Sequence, residues 1–216
     1  MLPTATDVYD ARRRIGSRVP RTPLLPSSWL SSIADGDVFL KIESLNLTHS
    51  FKIRGALNAA LRLRDAGATP TIVAASAGNH GRAMALAAEQ LGLPCVVFTP
   101  STAPEAKQNA IRRHGAVLHN DSEDYDTAER RAKEFAAAEG GVYVSPYNNA
   151  DVIAGAGTIG LELVEAMPAF DVVVVPLGGG GLASGVGLAI KAAAPKATVV
   201  GVEVEASSPF TISLEA

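Results

Sequence analysis

Cysteine is almost absent from this chain: its 216 residues include only Cys95. An intramolecular disulfide is thereby excluded, and so is a cysteine-rich metal centre. Cys95 lies in the apolar run Leu93-Pro94-Cys95-Val96-Val97-Phe98 and reads as a small core residue. Long hydrophobic runs are also missing, since the apolar stretches are strand-sized and too short to span a bilayer. Met1 to Arg14 carries charge without an apolar signal core, so a cytoplasmic location is expected. Positive charge is not in excess: 19 Lys and Arg face 22 Asp and Glu, a net charge of −3. That balance gives no basic field for nucleic acid or anionic lipid. Arg12-Arg13-Arg14 and Arg112-Arg113 read as solvated helix faces. No internal repeat or low-complexity segment appears.

What is present is an alternation of short apolar runs with helical patterns. Val38 to Ile42, Thr71 to Ala75, Cys95 to Thr99, Ala116 to His119, Val142 to Val144, Asp171 to Pro176 and Thr198 to Val202 read as strands. Helices are expected over Phe51–Ala66, His80–Leu91, Pro104–His114, Tyr125–Ala138, Ile153–Met167 and from the glycine run to Ala194. Gly67, Gly92 and Gly115 stand at three of their ends. Strands made of continuous Val and Ile, rather than alternating residues, indicate parallel sheets with helices on both faces. The expected class is α/β with two open twisted parallel sheets. Residues 1–70 and 148–216 would form a large domain and 71–147 a small one. No element closes the chain after Val202.

Three loops stand where a strand is expected to end and a helix to begin, the position at which open parallel sheets bind ligands. In Ser50-Phe51-Lys52-Ile53-Arg54-Gly55-Ala56, a lysine sits early in a helix, where the helix dipole disfavours a cation. Burial and that dipole would lower its pKa, which suits Schiff-base chemistry. The second loop, Ser76-Ala77-Gly78-Asn79-His80-Gly81, is a tight turn before a helix, whose N–H groups suit a carboxylate. Asn79 could donate to a phenolic oxygen, while His80 has no second histidine at metal-ligand spacing. The third, Gly178-Gly179-Gly180-Gly181-Leu182, would let backbone amides approach a phosphate at a helix start. Gly178-x-Gly180-x-x-Ala183 followed by Glu203 also imitates a dinucleotide fingerprint, and pattern alone leaves both readings open.

Taken together, the three loops resemble the lysine motif, substrate loop and phosphate loop of the serine/threonine dehydratase and serine racemase family of pyridoxal phosphate (PLP) enzymes. Arg21-Thr22-Pro23-Leu24 and Val152-Ile153-Ala154-Gly155-Ala156-Gly157-Thr158 resemble two further signatures of that family. The likeness runs from about Arg21 to Glu203. It implies the tryptophan synthase beta-like PLP fold, with Lys52 holding the cofactor as a Schiff base and acting as the base at the substrate Cα. It also implies that Phe51 packs beside the cofactor ring and Asn79 meets its 3-hydroxyl oxygen. Gly178, Gly179, Gly180, Gly181 and Leu182 would hold its phosphate, and Ser76, Gly78, Asn79 and His80 would surround the substrate carboxylate.

The implied activity is that of an ammonia-lyase: β-elimination from L-threonine, L-serine or 3-hydroxyaspartate to a 2-oxo acid and ammonia. A serine racemase of the same family, an inactive PLP-binding fragment and a nicotinamide-binding Rossmann protein are the alternatives. Ala77 replaces the serine that acts as the second acid/base in serine racemase, which favours elimination. Glu203 matches one acidic ligand of a cation site found in some relatives, but Pro209 falls where a second would be. Family members continue through about another third of a chain, so this sequence reads as truncated in its large domain, and a homodimer is implied once that domain is complete. An exposed apolar surface is expected near the C-terminal strand.

Overall fold

The computed structural model describes residues 2–67 and 69–215. Helix α1 (Ala5–Ile15) begins at a reciprocal cap, Thr4 with Asp7, and buries Val8, Ala11 and Ile15. Strands β1 (Leu24–Pro26) and β2 (Phe39–Lys41) pair antiparallel around α2 (Ser28–Ala34). Of this N-terminal group the sequence reading contained only β2. Helix α3 (Lys52–Asp65) then runs into the interior and buries a continuous stretch from Ile53 to Leu61.

The next four strand–helix units build one sheet. Strands β3 (Ile72–Ala75), β4 (Cys95–Pro100), β5 (Val117–Ser122) and β6 (Val142–Tyr143) are parallel, in the order β5-β4-β3-β6. Helices α4 (Asn79–Leu91), α5 (Glu105–Arg112) and α6 (Tyr125–Ala138) connect them. Every residue of β3 and β4 is buried, as unalternated strands covered on both faces should be. One apolar cluster joins Ile72, Ala74 and Val97 to α3 and α4, while another joins Val73, Val96 and Phe98 to α6.

Helix α7 (Ala150–Ala166) leads to β7 (Val172–Pro176), α8 (Gly181–Ala193) and β8 (Thr198–Val202), and β7 and β8 pair in parallel as a second sheet. The two parallel sheets with flanking helices therefore stand as read from the sequence. The chain does not run out at Val202, however: α9 (Pro209–Glu215) follows. Glu203 caps it, accepting the N–H groups of Phe210 and Thr211 at 2.9 and 2.8 Å.

Helices α3 and α7 cross at two glycines. A Cβ on Gly155 would lie 2.5 Å from the Arg54 carbonyl oxygen and 2.6 Å from the Gly55 Cα, so the backbones touch where no side chain fits. This crossing fixes the start of α3, and with it Lys52.

Candidate active site

Lys52 is the first residue of α3. The preceding strand β2 ended at Lys41, so this motif follows a loop, and the expectation that it lies at a strand end is corrected. Lys52 Nζ donates to the Pro146 carbonyl at 2.9 Å and lies 4.9 Å from the Phe51 ring centroid. Burial, with no acidic side chain to offset it, lowers the amine pKa to about 8.

The other two loops do occupy the carboxyl ends of parallel strands. Ser76 to Gly78 follows β3, and the Gly78 N–H bonds the Ser76 hydroxyl at 3.1 Å before α4 begins at Asn79. Asn79 is exposed, and its side-chain amide has no hydrogen-bond partner among the described residues. His80 is 2% exposed, and its Nε2 lies 2.9 Å from the Val144 carbonyl. A carbonyl only accepts, so Nε2 carries the proton and Nδ1 is left with a lone pair that finds no partner. Burial, and secondarily the charge of Lys52, lowers the His80 pKa to about 4, so the ring is neutral near pH 7.

Gly178 to Gly180 follows β7, and α8 begins at Gly181. Gly180 has φ +83°, a conformation that favours glycine. Its neighbours are close: a Cβ on Gly179 would meet the Tyr147 ring at 2.5 Å, and one on Gly180 would meet Phe210 at 2.6 Å. Leu182 and Phe51 pack on the same apolar cluster of Ile159, Val175, Val186 and Ile190.

The segment Val144 to Tyr147 therefore joins the three loops. Its successive groups touch His80, Lys52, and then Gly179 and Gly181. Sequence reading did not single it out, because two of the contacts use backbone carbonyls, which any residue type supplies.

A second arrangement the sequence did not reveal lies two residues past Lys52. The Arg54 side chain is 1% exposed and is gripped by two carboxylates. Its Nε and Nη2 donate to Glu43 at 2.8 and 2.9 Å, and its Nη1 and Nη2 to Glu162 at 2.6 and 3.1 Å. Lys41 also donates to Glu162, at 2.6 Å, and Thr22 to Glu43, at 2.5 Å. Thr22 and Thr158, the latter 3.2 Å from Arg54, come from the two segments noted only as further signatures. They serve a neutral buried cluster of two cations and two anions behind α3.

No group of three or more potential metal ligands occurs among the described residues, and both carboxylate oxygens of Glu203 are engaged in the α9 cap. A shallow cavity lined by Phe98, His119, Arg131 and Phe135 contains none of the loop residues.

The chain thus presents a part-buried amine at a helix start and amide-rich turns at the ends of two parallel strands. Residues 16–216 match the pyridoxal-phosphate dependent enzyme family, and the chain belongs to it. The nicotinamide reading of the glycine run falls with that match. An L-threonine ammonia-lyase of Thermotoga maritima is 43% identical over 98% of this chain and 53% of its own. A beta-hydroxyaspartate dehydratase of Paracoccus denitrificans is 39% identical over 94% of this chain and 65% of its own. The crystal structure of serine racemase from Dictyostelium discoideum superposes with a TM-score of 0.91 at 33% identity, covering 99% of this chain and 69% of that one. The chain thus spans about half to two thirds of the curated relatives it matches.

Proposed function

We propose that the chain is the PLP-binding part of an ammonia-lyase that eliminates the β-hydroxyl of L-threonine or L-serine, giving a 2-oxo acid and ammonia. The observation that carries this reading is the Lys52 amine, lowered to about 8 and joined through Val144–Tyr147 to both other loops. At that pKa roughly a tenth of the amine is unprotonated at pH 7, against roughly one part in three thousand for an ordinary lysine.

The residues present fit the cofactor. Lys52 would hold it, Phe51 would pack beside its ring, and Asn79 has a free amide for the 3-hydroxyl oxygen. The amides of Gly178, Gly179, Gly180, Gly181 and Leu182 lie at the N-terminus of α8, where a phosphate is favoured. When bound, PLP supplies an electron sink for negative charge at the substrate Cα. Lys52 Nζ is then the base for the Cα proton. Ser76, Gly78, Asn79 and His80 would orient the substrate carboxylate at the start of α4, with His80 kept neutral by burial. Ala77 offers no proton to the opposite face of Cα, which supports elimination over racemisation.

The reading extends to a large unit of residues 1–70 and 148–216 and a small one of 71–147, supported by the four-stranded sheet falling within 72–143. It includes a cytoplasmic location, no nucleic-acid or membrane partner, and a homodimer in the complete protein. The net charge of −3 supports the absence of a nucleic-acid partner.

Incubation with PLP, borohydride reduction and peptide mapping should mark Lys52; marking of Lys41, Lys107 or Lys191 instead would remove the basis of the proposal. In the loaded protein, L-serine should yield pyruvate far faster than D-serine, and equal rates would remove the Ala77 argument.

A further inference from the structure

The turn before α4 has a neighbour that the reaction as described does not use. Helix α5 packs along the first turn of α4: a Cβ on Gly81 would lie 3.1 Å from Ile111 Cδ1. Lys107 is one helical turn before Ile111 and so shares that face of α5. Its Nζ lies 4.0 Å from where a Cβ on Gly78 would stand. The first turn of α5 is held in place by buried Gln108, which donates to the Ala103 carbonyl at 2.9 Å and accepts from Arg112 and Asn120.

The ammonium of Lys107 forms no ion pair among the described residues, and no acidic residue occurs from Ser76 to Arg82. A cation placed against the positive end of α4 is electrostatically unfavourable unless an anion lies between them.

We propose that Lys107 is a further substrate-binding residue, whose ammonium pairs with the carboxylate held at the Ser76–His80 turn. This rests on the reading of that turn as the carboxylate site. Lys107 supplies full charge where the turn supplies amide dipoles, so it contributes to affinity and to discrimination against uncharged analogues. It does not touch the proton at Cα, so its removal acts on substrate binding rather than on turnover.

The test compares L-serine with L-serinamide, which keeps the amine and hydroxyl but lacks the negative charge. Binding of each is titrated by calorimetry, and by the absorbance of the bound cofactor, in PLP-loaded wild-type protein, Lys107→Gln and Lys107→Arg. Lys107 is exposed, so both variants should keep the wild-type melting temperature. Lys107→Gln should weaken L-serine binding about tenfold or more and leave L-serinamide nearly unchanged, and Lys107→Arg should recover most of the loss. The tenfold effect should shrink at high salt, since the pair is near the surface. If wild-type protein prefers L-serine and Lys107→Gln keeps that preference in full, the inference is overturned while the reading of the turn stands. If wild-type protein itself does not distinguish the two ligands, the reading of the turn fails, and the inference with it.

Discussion

Replacing Glu162 by glutamine should cost about 3 kcal/mol of stability, although the side chain keeps its size and shape. The wild-type cluster pairs Arg54 and Lys41 with Glu43 and Glu162, and the Arg54 and Glu162 side chains are 1% and 5% exposed. Burial pushes the Glu162 carboxyl up, but Arg54 and Lys41 outweigh it and hold it below the usual carboxylate range. Glutamine removes one negative charge and leaves a net positive charge in a cluster with little access to solvent. Removing one partner of a buried pair costs on the order of 3–5 kcal/mol, because the other charge loses its compensation. Arg54 keeps both bonds to Glu43, and the glutamine carbonyl can still accept, so the lower end applies.

Urea unfolding followed by far-UV circular dichroism would measure the loss, which is a large share of the stability of an ordinary domain. Adding Lys41→Met to Glu162→Gln restores charge balance, so the double variant should be more stable than additivity allows. A Glu162→Gln variant within about 1 kcal/mol of wild type would refute the argument. It would mean that solvent reaches the cluster, and that α3 is positioned by apolar packing alone.

Gly155→Ala should destabilise by more than about 3 kcal/mol or prevent folding, since its Cβ would sit 2.5 Å from the Arg54 carbonyl and backbone cannot step aside; a melting temperature within a few degrees of wild type would contradict the α3–α7 crossing. His80, lowered to about 4 when folded against an ordinary 6.5, contributes stability that is complete above pH 6.5 and is lost as pH falls through 4. Between pH 7.5 and 4.5 this group should account for about 2–3 kcal/mol, and urea midpoints of His80→Asn should fall correspondingly less over that range; an equal fall in both proteins would count against a buried neutral ring. Val174 is 64% exposed on β7 beside other exposed valines, so Val174→Glu should reduce concentration-dependent association in sedimentation, and unchanged association would place the sticky surface elsewhere.

Much of the fold is legible in the sequence, for identifiable reasons. Helix α6 and strand β8 match their expected limits and β7 begins one residue later than expected, because acid-capped amphipathic helices and runs of valine have few alternative structures. Helix α1 was missed because only Val8, Ala11 and Ile15 face the interior, too thin a stripe to stand out among its charges. Strand β1 is three residues long with a proline, and it gains strand character only by pairing with β2. Helix α9 depends on a carboxylate seven residues upstream of its first bonded N–H. In sequence Glu203 matches a cation ligand of some relatives, and no local pattern distinguishes that use from a cap.

The candidate site divides along the same line. Lys52, the Ser76–His80 turn and the glycine run were legible because each breaks a local rule: a cation at a helix start, a glycine-rich turn before a helix, four glycines in succession. Residues that obey local rules stayed silent. Arg54 looks like any arginine in an amphipathic helix, and only the fold shows it to be enclosed by carboxylates from positions 43 and 162. The valine strands show the opposite limit. In β3 and β4 a continuous apolar run is buried on both faces, as such a run implies. In β7 the same kind of run alternates: Val173 and Val175 pack on the cluster beneath α8, while Val172 and Val174 are 52% and 64% exposed. Composition shows what a strand is suited to contact, but the contact itself depends on what the rest of the fold places against each face.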